Sequence, residues 1–332
     1  MQDSLFSLDE APAEGSVRPA SQGAQLAALA QQLPDTLRLG TSSWHYPGWA
    51  TLVWDRLYSE AQLSRDGLSA YAAHPLFRTV GVDRGFYKPL TTEQYSRYAA
   101  QVPADFRFVI KAPSLVTDAQ LRSGDGKALE ANPAFLSEEA AASTFIEPAL
   151  AGLGNKLGAL VFQISPLPGS WLKQMPRLIA QLHRLLASLP ALQAHAPEAV
   201  IAVEVRDPEW LTTEFIAALR DTGATYCLGL HAKMPPISEQ LPILRALWPG
   251  PLVCRWNLNP VHGAYGYEEA HAQYSPYNKL IDPDPETRAA LARVIAGTVG
   301  AGQRAYVTLS NKAEGCSPLS AIALAHAILA TR

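Results

Sequence analysis

The sequence predicts an α/β fold, a single-domain (β/α)8 TIM-like barrel. Eight short runs rich in Val, Ile, Leu and Phe occur along the chain, and each is followed by a helix-like stretch. Most of the runs end in a polar or charged residue. A strand-then-helix alternation repeated eight times is typical of this barrel, whose active sites lie at the carboxyl ends of the strands. The predicted strands are residues 37–44, 79–86, 107–113, 158–165, 200–207, 225–231, 252–257 and 304–312.

Local signals place several helices between these strands. Thr91 and Gln94 form a capping-box pattern at the start of one helix. Pro176 lies within an apolar stripe, so that helix is expected to begin or to kink there. Thr212 is a predicted N-cap. The helical runs marked by these and similar signals are 172–189, 214–220, 285–296 and 318–329.

The domain organisation is simple. Residues 1–36 are rich in Ala, Gln, Ser, Pro and acidic residues, which predicts a flexible N-terminal tail with a short helix over 25–32. Residues 37–332 show no linker and no change of composition, so they form one barrel domain. The two longest connections, 112–136 and 257–285, are expected to cover or complete a site on the active face. Alternatively, the tyrosines of the second connection only pack locally.

Composition restricts the partners. A net charge of −3 gives too weak a field to hold the chain on nucleic acid or an anionic membrane. The apolar stretches are shorter than the roughly 20 residues that span a bilayer. The acidic N-terminus is unlike a signal peptide, and the widely separated Cys227, Cys254 and Cys316 suit a reducing cytoplasm. The sequence therefore predicts a cytoplasmic protein with a small ligand.

Side chains near the strand ends are the candidates for chemistry. Successive strand residues alternate in direction, so Glu204 shares a face with Arg206, and Arg255 with Asn257. The catalytic candidates are Glu204, Asp83 and Lys111. The ligand-binding candidates are Trp44, His45, Tyr87, Gln163, Arg206, His231, Arg255, Asn257, Asn311 and Lys312. The competing interpretation of Glu204 and Arg206 is a structural ion pair that fills the barrel.

Cations from four different strands are predicted to meet at one mouth. They are Lys111, Arg206, Arg255 and Lys312, and such a group requires anions, which suits a phosphate or carboxylate ligand. Lys111 is alternatively a Schiff-base lysine if its pKa is depressed. The metal-ion alternative is a cluster of Asp83, Glu204 and His231, although no metal-ligand spacing accompanies them. The sequence assigns no cofactor.

The strand ends also carry a family resemblance. Residues 40–49 read Gly-Thr-Ser-Ser-Trp-His-Tyr-Pro-Gly-Trp, which resembles the opening motif of the YecE-like family, domain of unknown function 72. The resemblance continues through the segments 86–87, 106–113, 157–163, 203–210 and 311–315. It implies a TIM-like barrel over residues 37 to about 330, and it implies no particular reaction. Where the family commonly has Glu and Asn, this chain has Gly81 and Asp83. If the family uses that acid chemically, this protein either lacks the step or supplies the acid from Asp83.

The tail has a resemblance of its own. Gln2, Ser4, Leu5 and Phe6 are similar to the peptide by which bacterial proteins dock on the DNA-polymerase sliding clamp, with Asp3 at a position that usually holds leucine. Pull-down of the clamp by the wild type, but not by a Leu5→Ala/Phe6→Ala variant, is the expected result if this peptide docks.

These observations lead to one functional prediction and two alternatives. The prediction is an enzyme that acts on a small anionic molecule, phosphorylated or nucleotide-like, at the carboxyl end of the barrel. The first alternative is a metal-dependent phosphoester hydrolase or nuclease. The second is a non-catalytic barrel that binds a ligand or a partner, which the missing acid at Gly81 favours. The fold alone does not choose among the three, because it hosts many functions.

Overall fold

A closed barrel forms the centre of the molecule. The computed structural model describes residues 16–123 and 127–331. Its strands are β1 (Leu37–Thr41), β2 (Thr79–Val82), β3 (Arg107–Lys111), β4 (Gln120–Arg122), β5 (Ala128–Ala131), β6 (Leu157–Gln163), β7 (Val200–Glu204), β8 (Thr225–Leu230), β9 (Leu252–Trp256) and β10 (Ala305–Leu309). Eight of them close the barrel in the order β1-β10-β9-β8-β7-β6-β3-β2, with every neighbouring pair parallel. The predicted (β/α)8 fold is confirmed.

Each barrel strand overlaps one of the eight predicted runs but ends a few residues before it. Asp83 and Arg206, near the ends of two runs, already belong to the following loops and lie at the mouth of the barrel. Lys111, Gln163, Glu204 and Arg255 are still paired in the strands. The candidate side chains therefore come from the last strand residues and from the first loop residues.

Helices flank the barrel, and the predicted caps are present. Thr91 Oγ1 accepts from the Gln94 N–H at 3.4 Å, while Gln94 Oε1 accepts from the Thr91 N–H at 2.9 Å. One helix begins at Met175, beside Pro176, so the proline occupies the first turn, where it is tolerated. The helices are α1 (Ala24–Gln31), α2 (Glu60–Asp66), α3 (Leu68–Ala72), α4 (Thr92–Ala100), α5 (Ser114–Thr117), α6 (Glu138–Ala141), α7 (Glu147–Leu153), α8 (Gly169–Leu172), α9 (Met175–Ser188), α10 (Thr213–Thr222), α11 (Ile237–Ala246), α12 (Tyr267–Tyr274), α13 (Pro285–Gly300) and α14 (Ser317–Ala330).

The core has two layers. Between strands and helices lies a continuous apolar layer that includes Val203 and Val205, while Ala202 and Glu204 point into the barrel. This confirms the alternation predicted for β7. The barrel interior is filled by a small apolar cluster, Val109, Ala159, Val161, Ala202, Cys227, Val253 and Tyr306.

An ion cluster closes the amino-terminal end of the barrel. Glu198 accepts two bonds from Arg107, each 3.1 Å long, and one of 3.4 Å from Arg38. Tyr306 reaches down to the same place, where its hydroxyl donates to the Glu198 carbonyl at 2.9 Å. The carboxyl end is thus the open end.

Residues 16–36, which the sequence assigned to a flexible tail, pack on the barrel. The Ala20 N–H donates to the Val53 carbonyl at 2.9 Å, and Leu29 of helix α1 is buried. Burial of these apolar side chains makes residues 16–36 part of the folded chain and not of a flexible tail. The predicted helix over 25–32 is present as α1. Gln2, Ser4, Leu5 and Phe6 lie outside the described residues, so clamp docking stays a prediction.

The two long connections have structure of their own. The connection after β3 contains α5 and the antiparallel β4–β5 hairpin, and the connection after β9 contains α12. The sequence patterns predicted none of these elements, because each is short and packs on other parts of the chain. Within the described ranges, no helix combines the length and the apolar composition needed to cross a lipid bilayer.

Candidate functional site

A cavity of about 710 Å³ opens at the carboxyl ends of the strands. Strand ends supply one part of its wall, and the connection after β9, with helix α12, supplies another. Its lining includes eight of the predicted site residues, namely Asp83, Tyr87, Lys111, Gln163, Arg206, His231, Arg255 and Lys312.

Glu204 anchors the floor of this cavity. It is fully buried at the end of β7, where Oε1 forms an ion pair with Arg206 Nη2 at 2.6 Å and Oε2 accepts from Arg255 Nη1 at 2.7 Å. Asn257 Nδ2 donates to Oε1 at 3.0 Å. The carboxylate fits because residue 229 is glycine, whose added Cβ would lie only 3.0 Å from Glu204 Cγ. Glu204 therefore lies beneath the cavity and not in its lining.

The charge of Glu204 is held by its partners. Burial alone raises the pKa of a carboxyl group, but Arg206 and Arg255 outweigh burial and hold the pKa of Glu204 at about 2. It stays ionised at neutral pH and keeps both guanidinium groups in place. The geometry thus supports a positioning role for Glu204, and it offers the carboxylate no route to a ligand.

Arg255 links the buried carboxylate to the cavity. Its Nη2 donates to Asp83 Oδ2 at 2.6 Å, so a single guanidinium bridges Glu204 and Asp83. Burial lowers the pKa of Arg255, but these two carboxylates outweigh burial and raise it. The Asp83 side chain is 39% exposed, lines the cavity, and has no hydrogen bond to Oδ1 from the described residues. Asp83 is therefore the carboxylate of this network that a ligand can reach.

Arg206 is only partly satisfied. Its side chain is 6% exposed and lines the cavity, and Nη2 binds Glu204 and approaches Gln163 Oε1 at 3.5 Å. Nε and Nη1 are buried and make no hydrogen bond within 3.5 Å to a described residue, although the Tyr267 hydroxyl interacts with the same guanidinium. An unpaired buried donor costs about 1–3 kcal/mol, and more when it is charged. A planar guanidinium with unpaired donors suits a carboxylate or a phosphate.

Lys111 is the last residue of β3, and its amine lies against an aromatic ring. Nζ stands 3.5 Å from the centre of the Phe86 ring and makes no hydrogen bond with any described residue. Burial lowers the pKa of Lys111, Asp83 raises it, and Arg255 and Arg206 lower it, which leaves it at about 7. A substantial fraction of this amine is neutral at physiological pH.

The opposite wall adds a neutral donor and a further cation. Burial lowers the pKa of His231 to about 3, and its Nδ1 accepts from the Lys233 N–H at 3.1 Å. The neutral ring therefore carries its proton on Nε2. Lys312 Nζ lies 6.0 Å from the Tyr267 ring centre and 5.8 Å from that of Tyr277. Burial lowers the pKa of Lys312.

Trp44 and His45 do not reach the main cavity. Trp44 is buried and its Nε1 donates to the Leu63 carbonyl at 3.1 Å, while His45 Nδ1 lies 3.1 Å from Glu60 Oε1. Both residues line an adjoining cavity of about 270 Å³, and this second cavity shares Asp83 and Tyr87 with the main one.

Two predicted ligand-binding residues act inside the protein. Asn257 binds Glu204, and Asn311 is buried below the start of α14. Asn311 Oδ1 accepts from the Ser317 N–H at 2.9 Å and from Trp49 Nε1 at 3.2 Å. These amides satisfy internal hydrogen bonds, which the sequence pattern did not distinguish from ligand contacts.

The sequence did not select the other eight cavity residues as site residues. They are Phe86, Pro166, Lys233, Ala264, Tyr265, Tyr267, Glu268 and His271. Five of them come from the connection after β9, whose length and tyrosine content mark that segment as a cover for the site. The periodic signals that identify strands and helices do not say which side chains of such a loop turn inward.

The predicted metal cluster is not assembled as a ligand set. Among the residues that the structure describes, no group of three or more His, Cys, Asp or Glu side chains could hold a metal ion. Both carboxylate oxygens of Glu204 are already bound by arginine nitrogens. The geometry therefore does not favour Asp83, Glu204 and His231 as joint metal ligands.

Comparisons with known proteins agree with the fold. A family model described as protein of unknown function DUF72 matches residues 38–331. A crystal structure of a DUF72 family protein from Enterococcus faecalis V583 is similar at a TM-score of 0.57 and 17% identity, over 88% of this chain and 95% of that chain. One from Thermotoga maritima MSB8 has a TM-score of 0.53 and 17% identity, over 89% and 98%.

At these identities, similarity to the solved structures shows the fold alone. The comparison with curated proteins found no match. The family model, in contrast, covers most of the chain and agrees with the strand-end motifs that resemble the YecE-like family. The chain belongs to the DUF72 family.

Proposed function

We propose that this protein is an enzyme that acts on a small anionic molecule, phosphorylated or nucleotide-like, in the cavity at the barrel mouth. The observation that carries the proposal is Arg206, a buried guanidinium at the cavity whose Nε and Nη1 make no hydrogen bond within 3.5 Å to a described residue. Retaining such a group is costly unless a ligand pairs with it.

The charge of the cavity supports the same ligand class. Among the described residues of its lining, the cations outnumber the carboxylates Asp83 and Glu268; they are Lys111, Arg206, Lys233, Arg255 and Lys312. The buried carboxylate of Glu204 does not reverse this balance. A concave site with excess positive charge attracts and orients anions.

Each side chain has a proposed role. Arg206 and Lys312 hold the anionic group, and His231 donates a hydrogen bond from its neutral ring. Asp83 and Lys111 are the groups placed to accept or donate protons at the ligand, since Asp83 has a free oxygen and Lys111 has a pKa near neutrality. Glu204 and Asn257 position the arginines. We place this chemistry in the cytoplasm, which the three free cysteines support.

Ligand binding tests the proposal directly. Thermal melting against inorganic phosphate, sugar phosphates, nucleotides and small carboxylates selects an anion, and calorimetric titration gives its Kd. Arg206→Met and Lys312→Met are each expected to weaken binding about tenfold or more, as expected for the loss of one charged contact. Arg97→Met, at an exposed position on α4, is the matched control and should bind like the wild type.

Two results would contradict the proposal. One is a flat melting panel with every anion class. The other is an unchanged Kd in both Arg206→Met and Lys312→Met, with circular dichroism confirming that both variants are folded. A binding protein that turns over none of the panel would instead support the non-catalytic alternative.

A further inference from the structure

We infer that Lys111 forms an imine with the carbonyl group of the ligand, which makes the substrate a small aldehyde or ketone that also carries a phosphate or carboxylate group. The inference rests on the proposed anion site, because the charged end of the ligand is what brings its carbonyl group to the amine. It adds a covalent role for one side chain and a second functional group for the substrate.

The first support is the isolation of the Lys111 amine. A structural lysine in a crowded polar site is normally held by a carboxylate. Asp83 and Glu204 are the carboxylates that act on Lys111, and their ion pairs among the described residues are with Arg255 and Arg206. The Lys111 amine contacts an aromatic face instead. It lines the ligand cavity with its nitrogen uncommitted.

The second support is the arrangement around that nitrogen. Arg206 and Arg255 face the same cavity and oppose a further positive charge. Together with burial, they favour the neutral amine, which is the nucleophilic form, and a pKa of about 7 agrees with this. The Phe86 ring face attracts the ammonium form, but it holds the nitrogen without a hydrogen bond. Asp83 is the acceptor at hand for the proton that the attacking nitrogen loses.

The proposed step is balanced in atoms and electrons. The Lys111 nitrogen lone pair forms a bond to the carbonyl carbon, and the C=O π pair moves to oxygen. Asp83 accepts a proton from the nitrogen and gives it to that oxygen, which produces a neutral carbinolamine. A proton from solvent then converts the hydroxyl to water, which leaves as the nitrogen lone pair forms the C=N bond, and the protonated imine returns its N–H proton to solvent through Asp83. Amine and carbonyl compound thus give imine and water, with nothing oxidised or reduced.

Lys312 and Lys233 are competing amines in the same cavity. Both nitrogens lie near tyrosine rings, Lys312 at 5.8 Å from Tyr277 and Lys233 at 4.6 Å from Tyr265. They come from the loops after β10 and β8, whereas Lys111 lies at the end of a strand and beside Asp83 and Arg255. The experiment must therefore identify the modified residue.

Reductive trapping provides that test. The full-length protein is incubated with glyceraldehyde 3-phosphate or glyoxylate and with borohydride, which reduces an imine to a stable secondary amine. We expect one adduct whose added mass is that of the carbonyl compound less one oxygen atom, located at Lys111 by peptide mapping. Inorganic phosphate should compete with it, and uncharged glyceraldehyde should label much less.

Variants separate site chemistry from surface labelling. Lys111→Arg and Lys111→Met should both abolish the adduct, with circular dichroism confirming the fold. Lys173→Arg, which removes an exposed lysine beside α8, should leave labelling unchanged. Labelling that falls on Lys312 or Lys233, or that spreads over surface lysines, would overturn the inference.

The two proposals fail in different ways. If the wild type binds inorganic phosphate but forms no adduct at Lys111, then the imine is wrong and the anion site stands. If phosphate and the other anions do not bind at all, then the anion site itself is wrong, and the imine that rests on it falls as well.

Discussion

At the scale of single residues, chemistry at the barrel mouth depends on which charges already have partners. Glu204 has an ion pair with Arg206, hydrogen bonds from Arg255 and Asn257, and no access to the cavity, although its position at a strand end made it a catalytic candidate. Asp83 and Lys111 came from the same kind of sequence signal, and both line the cavity. Glu204 is unavailable to a ligand because arginines pair with both of its oxygens, whereas Asp83 and Lys111 remain open to the cavity.

The pH dependence of Lys111 labelling is the prediction at this scale. Only the neutral amine attacks a carbonyl group, so the labelling rate should rise with pH and level off above a midpoint near 7. An exposed lysine would show a midpoint near about 10.4. Asp83→Asn should move the midpoint to lower pH, because Asp83 stabilises the ammonium form. Rates of adduct formation by mass spectrometry at stepped pH give both values.

Substitution of Arg206 should shift the midpoint of Lys111 labelling in the opposite direction. Arg206 lowers the pKa of Lys111, so Arg206→Met should move the midpoint to higher pH. A wild-type midpoint above 9, or shifts of the same sign in the two variants, would show that these neighbours do not control the amine. The exposed Arg97→Met variant should leave the midpoint unchanged.

At the scale of elements, the strands place the charges and one loop helix completes the wall. Strand alternation sends Glu204 into the barrel and Val203 towards the helices, as the sequence predicted. Helix α12 brings Tyr267, Glu268 and His271 to the cavity, and no periodic signal predicted that helix. Its position depends on the turn that precedes it.

Gly266 immediately precedes α12, and its substitution tests the importance of that turn. A Cβ at this residue would lie 2.1 Å from the His262 carbonyl oxygen, so Gly266→Ala must displace the start of α12. We expect the free energy of unfolding to fall by about 1–3 kcal/mol, as for other forced overpacking, together with weaker binding of any organic anion that fills the cavity. Urea unfolding and calorimetry measure the two effects.

Gly297 provides the matched control. It lies inside α13, where an added Cβ meets nothing within 4 Å. Gly297→Ala should therefore raise the free energy of unfolding by up to about 1 kcal/mol through helix propensity, with no effect on binding. Equal stability of Gly266→Ala and the wild type would show that α12 tolerates the shift.

At the scale of the whole molecule, the Glu204 network joins distant parts of the barrel. Arg255 connects β9 to Glu204 on β7 and to Asp83 beyond β2, through a bridge buried at its centre. Removing one partner of a buried ion pair costs about 3–5 kcal/mol, because the remaining charge is left unpaired. Glu204→Gln should lower the free energy of unfolding by about this amount, measured by urea unfolding at neutral pH.

Lowering the pH should weaken the contribution of Glu204 to the free energy of unfolding. The folded-state pKa of Glu204, about 2, lies below the ordinary value of 4.5, so its stabilisation is complete above pH 4.5 and is lost as pH falls towards 2. The wild type should therefore lose more stability than Glu204→Gln between pH 5 and pH 3, whereas exposed Glu130→Gln should follow the wild type. Parallel curves for the wild type and Glu204→Gln would contradict the assigned pKa.

The sequence by itself determined the barrel, the eight strand positions and the end at which the site lies. Apolar runs, alternation and capping residues are local signals, and each can be recognised within a few residues. The sequence also predicted eight of the cavity residues as site residues, because the carboxyl ends of parallel strands meet at one face.

Only the tertiary structure decided which of those residues a ligand can reach. Arg255 meets Glu204 across 51 positions of sequence and Asp83 across 172, distances over which no local pattern carries information. The pKa of Lys111 likewise depends on burial and on charges contributed by other strands. Accessibility and charge partnership are properties of the closed barrel, and they exist only once all its strands have come together.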